Sequence, residues 1–391
     1  MRVLHVIPAV AERYGGPSAA LRGMVGALAA RGVEVTVATT DADGSGRLAV
    51  ALEQPVVEDG ATYMYFARTL PGEYKFSWPL TRWLWRNVRR FDVVHVHALF
   101  SYPTLPACRV SRRAGVPYVL RPLGTLGAWG LAHRGWKKRP YLALVERWNL
   151  REAAAIHVTS DAESEAVARL GHRATVRVIP LGVAVVDDRA IARRVDASRG
   201  ELDAPDAPLR VLFLSRIHPV KQLELLFEAA VLAEASGGRA VAITIAGDGE
   251  PSYAARLRAV AEALPLRVPP RFLGHVEAAA KDAAFDDAHL FVLPSSHENF
   301  GIAAAEALAR GLPVLLSEGV AIAGEVRAAG AGLVAPSTAE ALAGALVEIG
   351  RAPAVLGPMS EAALALARRA YSWPRAASQL ESLYREVTAP G

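Results

Sequence analysis

Glu298 and Glu306 stand eight positions apart in HENFGIAAAEALARGLPVL, residues 297 to 315. The strand-like run HLFVLPSS precedes them, and the alanine-rich stretch from about Gly301 predicts a helix. Glu298 then lies just before that helix and Glu306 within it. The first turn, Phe300 to Ala303 with Ile302 inside it, presents backbone N–H groups that have no partner in the helix. Together with the positive dipole end they suit an anion such as a diphosphate, or a sugar hydroxyl. A carboxylate beside such a turn can accept hydrogen bonds from sugar or ribose hydroxyls. Spacing alone leaves the ordinary alternative open: a loop acid and a solvated helix acid. A second set of charges follows the strand in LSRIHPVKQLELL. Arg216 and Lys221 fall in the loop there, and two fixed cations can neutralise a leaving diphosphate. Isolated loop cations are otherwise simply solvated.

Three smaller features follow strands in the first half. Gly15 and Gly16, in GGPSAALRGM, let a backbone approach a ligand closely, and Ser18 is read as a cap for the next helix. A plain turn explains the glycines equally well. In HVHALF, His95 and His97 alternate and are read as pointing to opposite sides of a strand end, which argues against a shared metal. A satisfied core histidine is the ordinary alternative for each. Asp41 and Asp43 form a D-x-D in DADGSG, a pattern that can hold a divalent metal but is also a common turn.

These features need elements to position them. Short apolar runs alternate with helical stretches: RVLHVIP, a helix from Ser18 to Arg31 closed by Gly32, VEVTVATT, DVVHVHA, a helix around Thr104 to Arg113, VPYVLRP, AAIHVTS, a helix from Asp161 to Leu170, and RVIPLGV. From Val185 the chain loses its period, becomes rich in Asp, Arg, Ala and Pro, and is read as a linker. The alternation restarts with LRVLFLSRI, a helix from Leu223 to Ala235, AVAITIAGDG, RFLGHV, HLFVLPS and GLPVLLSE. Such alternation predicts α/β architecture with parallel sheets. Two domains are expected, 1–184 and 205–371, with the amphipathic helix of 372–391 last. In doubly wound sheets ligands bind beyond the carboxyl ends of strands.

Composition narrows the class further. The chain has 391 residues, 52% of them hydrophobic and 21% charged, which excludes a disordered protein. Its one cysteine, Cys108, cannot form an internal disulfide and fits a reducing compartment. MRVLHVIPAV reads as a first strand rather than a signal peptide. No stretch of about 18 apolar residues lacks charges, so no spanning helix is expected. The expected location is the cytoplasm.

The 297–315 segment resembles the E-x7-E signature of retaining glycosyltransferases of family 4, including the Phe-Gly after the first Glu and the Gly-x-Pro-Val after the helix. The resemblance implies the GT-B fold: two Rossmann-like doubly wound domains facing a central cleft, with the last helix crossing back onto the first domain. It implies that Glu298 contacts donor sugar hydroxyls, that Glu306 contacts the ribose, and that Asn299, Phe300 and Gly301 bring backbone amides to sugar and phosphate. Arg216 and Lys221 match the family's G-R-x-x-x-x-K-G run, with Ser215 and Gln222 in place of its glycines. By the same resemblance Gly15 and Gly16 face the donor phosphates, Gly247 and Gly249 of AGDGE pass near the nucleotide, and the loop of His275 and Val276 contacts the base. His97 is implied near the transferred sugar. RPLGTLGAW is similar to a subgroup of exopolysaccharide and capsule pathways, which implies that Arg121, Gly124 and Thr125 shape the acceptor pocket. Leu181, in IPLGV, departs from the family's Asn-Gly.

The implied reaction moves a hexose from a nucleoside-diphosphate sugar, UDP first and GDP next, to a hydroxyl of a glycan or lipid-linked acceptor in surface polysaccharide biosynthesis. The implied cofactor is none, and no metal is required. Two rivals use the same motifs, a nucleotide-sugar 2-epimerase of the same fold and a non-catalytic sugar-nucleotide-binding protein. Residues 71–150 hold fourteen Lys or Arg against Glu73, Asp92 and Glu146, with Trp78, Trp83 and Trp85 interleaved. That mixture suits peripheral attachment to the anionic inner face of the cell membrane. Tryptophans in the core and a solvated basic rim are the alternative. No helix-turn-helix, zinc or RNP-like pattern is present, so no nucleic-acid partner is expected.

Overall fold

The computed structural model describes residues 1–70, 72–127, 130–131, 135–171, 174–185, 202, 204 and 206–389. The chain divides into two compact units, 1–182 with 373–391, and 183–372. Most of the aperiodic stretch after Val185 lies outside the described residues, as do Trp129 and Arg134 of the basic region and the side chain of Lys137. Of that stretch, the carbonyls of Leu202, Ala204 and Ala207 accept from the Arg239 guanidinium and so belong to the second unit.

In the first unit, RVLHV and VVHVH are buried on both faces, as parallel strands covered by helices must be. Its strands are β1 (Arg2–Val6), β2 (Glu34–Thr40), a hairpin of β3 (Ala42–Asp43) and β4 (Gly46–Arg47), β5 (Pro55–Glu58), β6 (Ala61–Phe66), β7 (Val93–His97), β8 (Tyr118–Arg121), β9 (Ala155–Val158) and β10 (Thr175–Val178). The described residues form one sheet in the order β10-β9-β8-β7-β1-β2-β6-β5. All its pairings are parallel except that of β5 with β6. The order reverses between β7 and β1, so the loops leaving those strands diverge and open a crevice.

The last helix, Trp373–Thr388, packs on the helix Gly16–Ala29 of this unit. Trp373 fits because two residues lack side chains. A Cβ on Gly23 would lie 2.2 Å, and one on Gly182 2.4 Å, from Trp373 side-chain atoms. Arg31 pairs with Glu381 at 2.8 Å across the same seam. Ser18 does not cap the first helix. It lies inside it and donates to the Ala11 carbonyl at 3.0 Å, and the cap position is Gly15, at φ 65°. Asp41 and Asp43 are taken up by arginines. Buried Asp41 accepts from the Arg68 N–H at 2.7 Å and pairs with Arg47 at 3.2 Å, and Asp43 pairs with Arg13 at 3.7 Å.

The second unit is a parallel sheet of β11 (Leu209–Leu214), β12 (Val241–Ala246), β13 (Arg271–Gly274), β14 (Leu290–Leu293), β15 (Val314–Ser317) and β16 (Gly332–Ala335), in the order β13-β12-β11-β14-β15-β16. Here the reversal lies between β11 and β14. The helix Leu223–Ala235 buries its Leu, Phe and Ala face and packs against the helix Ala339–Arg351.

Candidate active site

The loops leaving β11 and β14 carry the charges singled out in the sequence, and the strand order makes them neighbours. Ser296 N–H donates to the Val220 carbonyl at 2.9 Å, stitching the two loops. Lys221 and Glu298 form a direct ion pair there, Lys221 being 8% exposed. Glu298 is held by its backbone as well: its N–H donates to Gly319 O at 2.9 Å and its carbonyl accepts from the Ala321 N–H at 3.0 Å. Gly301, at φ 92°, turns the chain into the helix Ile302–Ala309. Phe300 is buried and meets the Tyr371 ring edge-on at 5.5 Å, so its side chain anchors the turn while its backbone stays at the helix start. Arg216 is exposed, and among the described residues no ion pair takes it up. The arrangement is one lysine bound to one carboxylate, a second cation nearby in the chain, and a helix start. It can hold a diphosphate beside a hydroxyl-bearing group.

Gly247 and Gly249 have a definite task. A Cβ at Gly247 would stand 2.0 Å from the Ser215 carbonyl oxygen, and one at Gly249 2.1 Å from that of Ile217. Their absent side chains let the loop after β12 lie against the loop bearing Arg216. Gly247 N–H also donates to Gly274 O at 2.7 Å, which draws in the loop of His275 and Val276. His275 is exposed and contacts Glu277 at 2.6 Å. Gln222 adopts the left-handed conformation, φ 51°, that suits the glycine of the family's motif. Glu306 pairs with Lys281 at 2.7 Å, a partner with no sequence signal beyond a lone lysine in an alanine-rich helix.

In the first unit the histidines overturn an expectation. Side chains two apart on a strand share a face, and the rings of His95 and His97 lie 4.3 Å apart, centroid to centroid. They join His5, His157, Arg121 and Tyr384 in a buried polar layer between sheet and last helix. His5 Nδ1 and His97 Nε2 are 2.9 Å apart, His95 Nδ1 and the Tyr384 hydroxyl 2.7 Å, and His157 Nδ1 and His95 Nε2 3.3 Å. His97 has no exposed surface, so its side chain does not reach a donor sugar as the resemblance implied. Arg121, 2% exposed, shares this layer, so its side chain is enclosed rather than open to an acceptor. His5, His95 and His97 can bring one nitrogen each within 4.8 Å of one another. Burial first, and Arg121 after it, lowers the affinity of all three for positive charge. The His5 Nδ1–His97 Nε2 contact is one hydrogen bond, while His5 Nε2 and His97 Nδ1 are buried without a hydrogen-bond partner among the described residues.

Burial first, with Arg121 adding, drives His5 and His157 down to about 3, and burial first, with the neighbouring imidazoles and Arg121 adding, holds His95 and His97 well below their ordinary value. The fold therefore holds neutral imidazoles that the unfolded chain protonates below about 6.5. Their stabilisation is complete above that value and is lost as pH falls from about 6.5 toward 3. The expected loss between pH 7.5 and 5.5 is roughly 1 kcal/mol per imidazole. Urea denaturation at the two values measures it, and equal stabilities would contradict this account.

At the β7–β1 crevice the structure brings forward a residue with no sequence motif. Glu146 lies in the π-helical turn Leu142–Glu146, fully buried, and accepts from the Phe100 N–H at 2.7 Å and the Asn149 amide at 2.7 Å. Burial raises its pKa. It fixes the loop after β7, whose Ala98 and Phe100 have φ of 70° and 59°. Around that loop Lys138 sits 5.4 Å from the Phe100 ring centre, and the Tyr74 and Tyr141 hydroxyls meet at 2.8 Å. Gly124 N–H donates to Glu163 at 2.5 Å and the Thr125 hydroxyl to Pro122 O at 2.7 Å, which fixes the turn after β8, and both residues are partly exposed.

Comparison with known proteins follows the same division. Residues 15–182 match the glycosyl transferase 4-like domain, and residues 195–363 match the glycosyl transferases group 1 family. The D-inositol 3-phosphate glycosyltransferase of Saccharomonospora viridis is 29% identical over 314 residues, 76% of this chain and 71% of that one. The phosphatidyl-myo-inositol mannosyltransferase of Mycobacterium leprae is 36% identical over 185 residues, 46% of this chain and 47% of its own. Among solved structures, Anabaena HepE in complex with UDP and glucose aligns with a TM-score of 0.74 at 20% identity, over 99% of this chain and 100% of that one. WaaG, a glycosyltransferase of lipopolysaccharide biosynthesis, aligns with a TM-score of 0.69 at 16% identity, over 99% and 100%. The two structural likenesses are likenesses of fold.

Proposed function

The chain is a GT-B glycosyltransferase, related in its first part to the glycosyl transferase 4-like domain and in its second to the group 1 glycosyl transferases, and from that premise we propose a retaining transfer of a hexose from a nucleoside-diphosphate sugar to a hydroxyl. The observation that carries the reading is the ion pair of Lys221 with Glu298 at the β11–β14 reversal, beside the helix start at Gly301. In this reading the diphosphate lies against Lys221, Arg216 and the first N–H groups of the helix Ile302–Ala309. Glu298 accepts from sugar hydroxyls and Glu306 from the ribose. Neither carboxylate is an acid or base. The bond from the anomeric carbon to the phosphate oxygen breaks while the acceptor oxygen bonds to that carbon from the same face, and the leaving phosphate oxygen takes the acceptor proton. The cations stabilise the charge growing on that phosphate, which is the work a metal would otherwise do, so the reaction needs none. UDP is the proposed nucleotide, with GDP next.

The acceptor belongs to the first unit in this reading. The rings of Tyr74, Phe100 and Tyr141, with Lys138 beside them, offer stacking faces and a cation suited to a sugar on a phosphate-bearing or lipid-linked carrier. A second feature supports attachment to the inner face of the membrane. On the helix Trp78–Asn87 and the turn after it, Trp78, Arg82, Trp85, Arg86 and Arg89 are exposed at helical spacing, whereas Trp83 packs against Phe66 and Phe91. Exposed Trp with Arg on one stripe suits a headgroup layer. Among the described residues no helix is long and apolar enough to cross a membrane. The protein is expected to float with vesicles rich in phosphatidylglycerol at low salt and to be released at high salt, with Trp78→Ala/Trp85→Ala weakening the attachment. No binding at low salt would end the membrane proposal.

The transfer itself is tested by thermal-shift screening of nucleotide sugars, then by following turnover of the hit in EDTA by proton NMR. The α-anomer of an α-linked donor should appear first. A first-formed β-anomer would contradict retention. Conversion to a 2-epimer would favour the epimerase, and binding without turnover a silent binding protein.

A further inference from the structure

Lys281, on the helix Ala278–Asp286, reaches across to the helix Ile302–Ala309 and donates to Glu306 Oε1 at 2.7 Å. Both side chains are largely enclosed, 27% and 21% exposed. The rest of the Ile302–Ala309 helix is apolar, and Ala304, Ala305, Ala307, Leu308 and Ala309 are buried. A parallel brace lies beside the pair. Arg310 holds Asp282 at 2.6 Å and the Glu306 carbonyl at 3.2 Å, and lies 4.5 Å from the Phe285 ring centre. The two helices are therefore tied together without Lys281, and its ammonium is free to act on Glu306 alone.

We propose that Lys281 is a positioning residue that makes the site selective for ribonucleotides over 2′-deoxyribonucleotides. The proposal rests on the reading of Glu306 as the ribose contact. Lys281 occupies Oε1 and confines the carboxylate to one orientation, which leaves Oε2 to accept from the vicinal hydroxyls of the ribose. Its charge also balances Glu306, so that the carboxylate does not repel the diphosphate of the same ligand. Without the ammonium the carboxylate can turn away, and the distinction between a 2′-hydroxyl and a 2′-hydrogen fades.

The test is calorimetric titration of the intact protein with UDP, GDP and ADP, then with the 2′-deoxy counterpart of whichever binds most tightly. The unsubstituted protein should prefer the ribonucleotide by about tenfold or more, the worth of one hydrogen bond to a charged group. Lys281→Met should reduce that preference to about threefold or less with an unchanged melting temperature, and Lys281→Arg should restore it. A merely structural role would lower the melting temperature and leave the preference intact, which would overturn the proposal. Absence of the preference in the unsubstituted protein would do the same. Glu306→Ala, which removes the acceptor altogether, separates the two levels. If it leaves the preference in place, the ribose reading of Glu306 itself fails; if it abolishes the preference while Lys281→Met does not, only the role of Lys281 fails.

Discussion

Lys221→Ala is expected to lower kcat by about 10²- to 10³-fold, the usual loss when one preplaced stabiliser of transition-state charge is removed. The structure makes the expectation sharper than the motif does. Lys221 is buried against Glu298 rather than swinging in solvent, so its ammonium is already placed before a ligand arrives. Alanine removes that charge and also leaves Glu298 unpaired next to the phosphate site, where it repels the donor. Both the chemical step and donor affinity should therefore suffer. The double variant Lys221→Ala/Glu298→Gln should recover affinity but not kcat, because only the repulsion is relieved. The fold of the second unit should survive, since the helix Leu223–Ala235 that follows is anchored by its own buried face. Near wild-type kcat with folded protein would remove Lys221 from the reaction.

Gly249→Ala should unmake the site from the other side. Its Cβ would come within 2.1 Å of the Ile217 carbonyl oxygen, a backbone atom that cannot rotate away. The loop after β12 must then lift off the loop that carries Arg216 and Lys221. Overpacking of this kind costs about 3 kcal/mol, and the displaced loop should abolish measurable donor binding. Gly344→Ala is the control. Gly344 is exposed in the helix Ala339–Arg351, with nothing within 4 Å of a built Cβ. It should raise the melting temperature slightly, by the helix preference of alanine, about 1 kcal/mol. Equal melting curves and equal donor affinity for Gly249→Ala and the parent would show that the two loops are not coupled.

The strands and the charged loops were legible because they depend on local pattern. Runs such as LRVLFL and LFVL announce buried parallel strands, and the helix Leu223–Ala235 is found where its apolar spacing places it. The pair Glu298 and Glu306 could be located by spacing. Their lysine partners could not be assigned, because pairing Lys221 with Glu298 and Lys281 with Glu306 depends on strand order, which no local period encodes. The histidines were misread for a simpler reason: residues two apart on a strand lie on one face, so His95 and His97 stack into the same layer as His5. That layer also draws in Arg121, so the sugar and acceptor contacts that the family resemblance implied for His97 and Arg121 fall on enclosed side chains. Glu146 sits in a run whose tryptophans and arginines dominate the pattern, and only the π-helical turn reveals that it points inward to the Phe100 amide. Trp83 and its neighbours are sorted into core and surface by a helix that the aromatic-basic composition concealed.

The central claim is that the donor's diphosphate is held where Lys221 meets Glu298. A crystal structure with the best-binding nucleotide sugar tests it directly. The account predicts diphosphate oxygens within about 3.2 Å of Lys221 Nζ and of backbone N–H groups at the start of the helix Ile302–Ala309, with Glu298 turned to the sugar. A nucleotide sugar bound elsewhere, with the pair of Lys221 and Glu298 undisturbed, would contradict it.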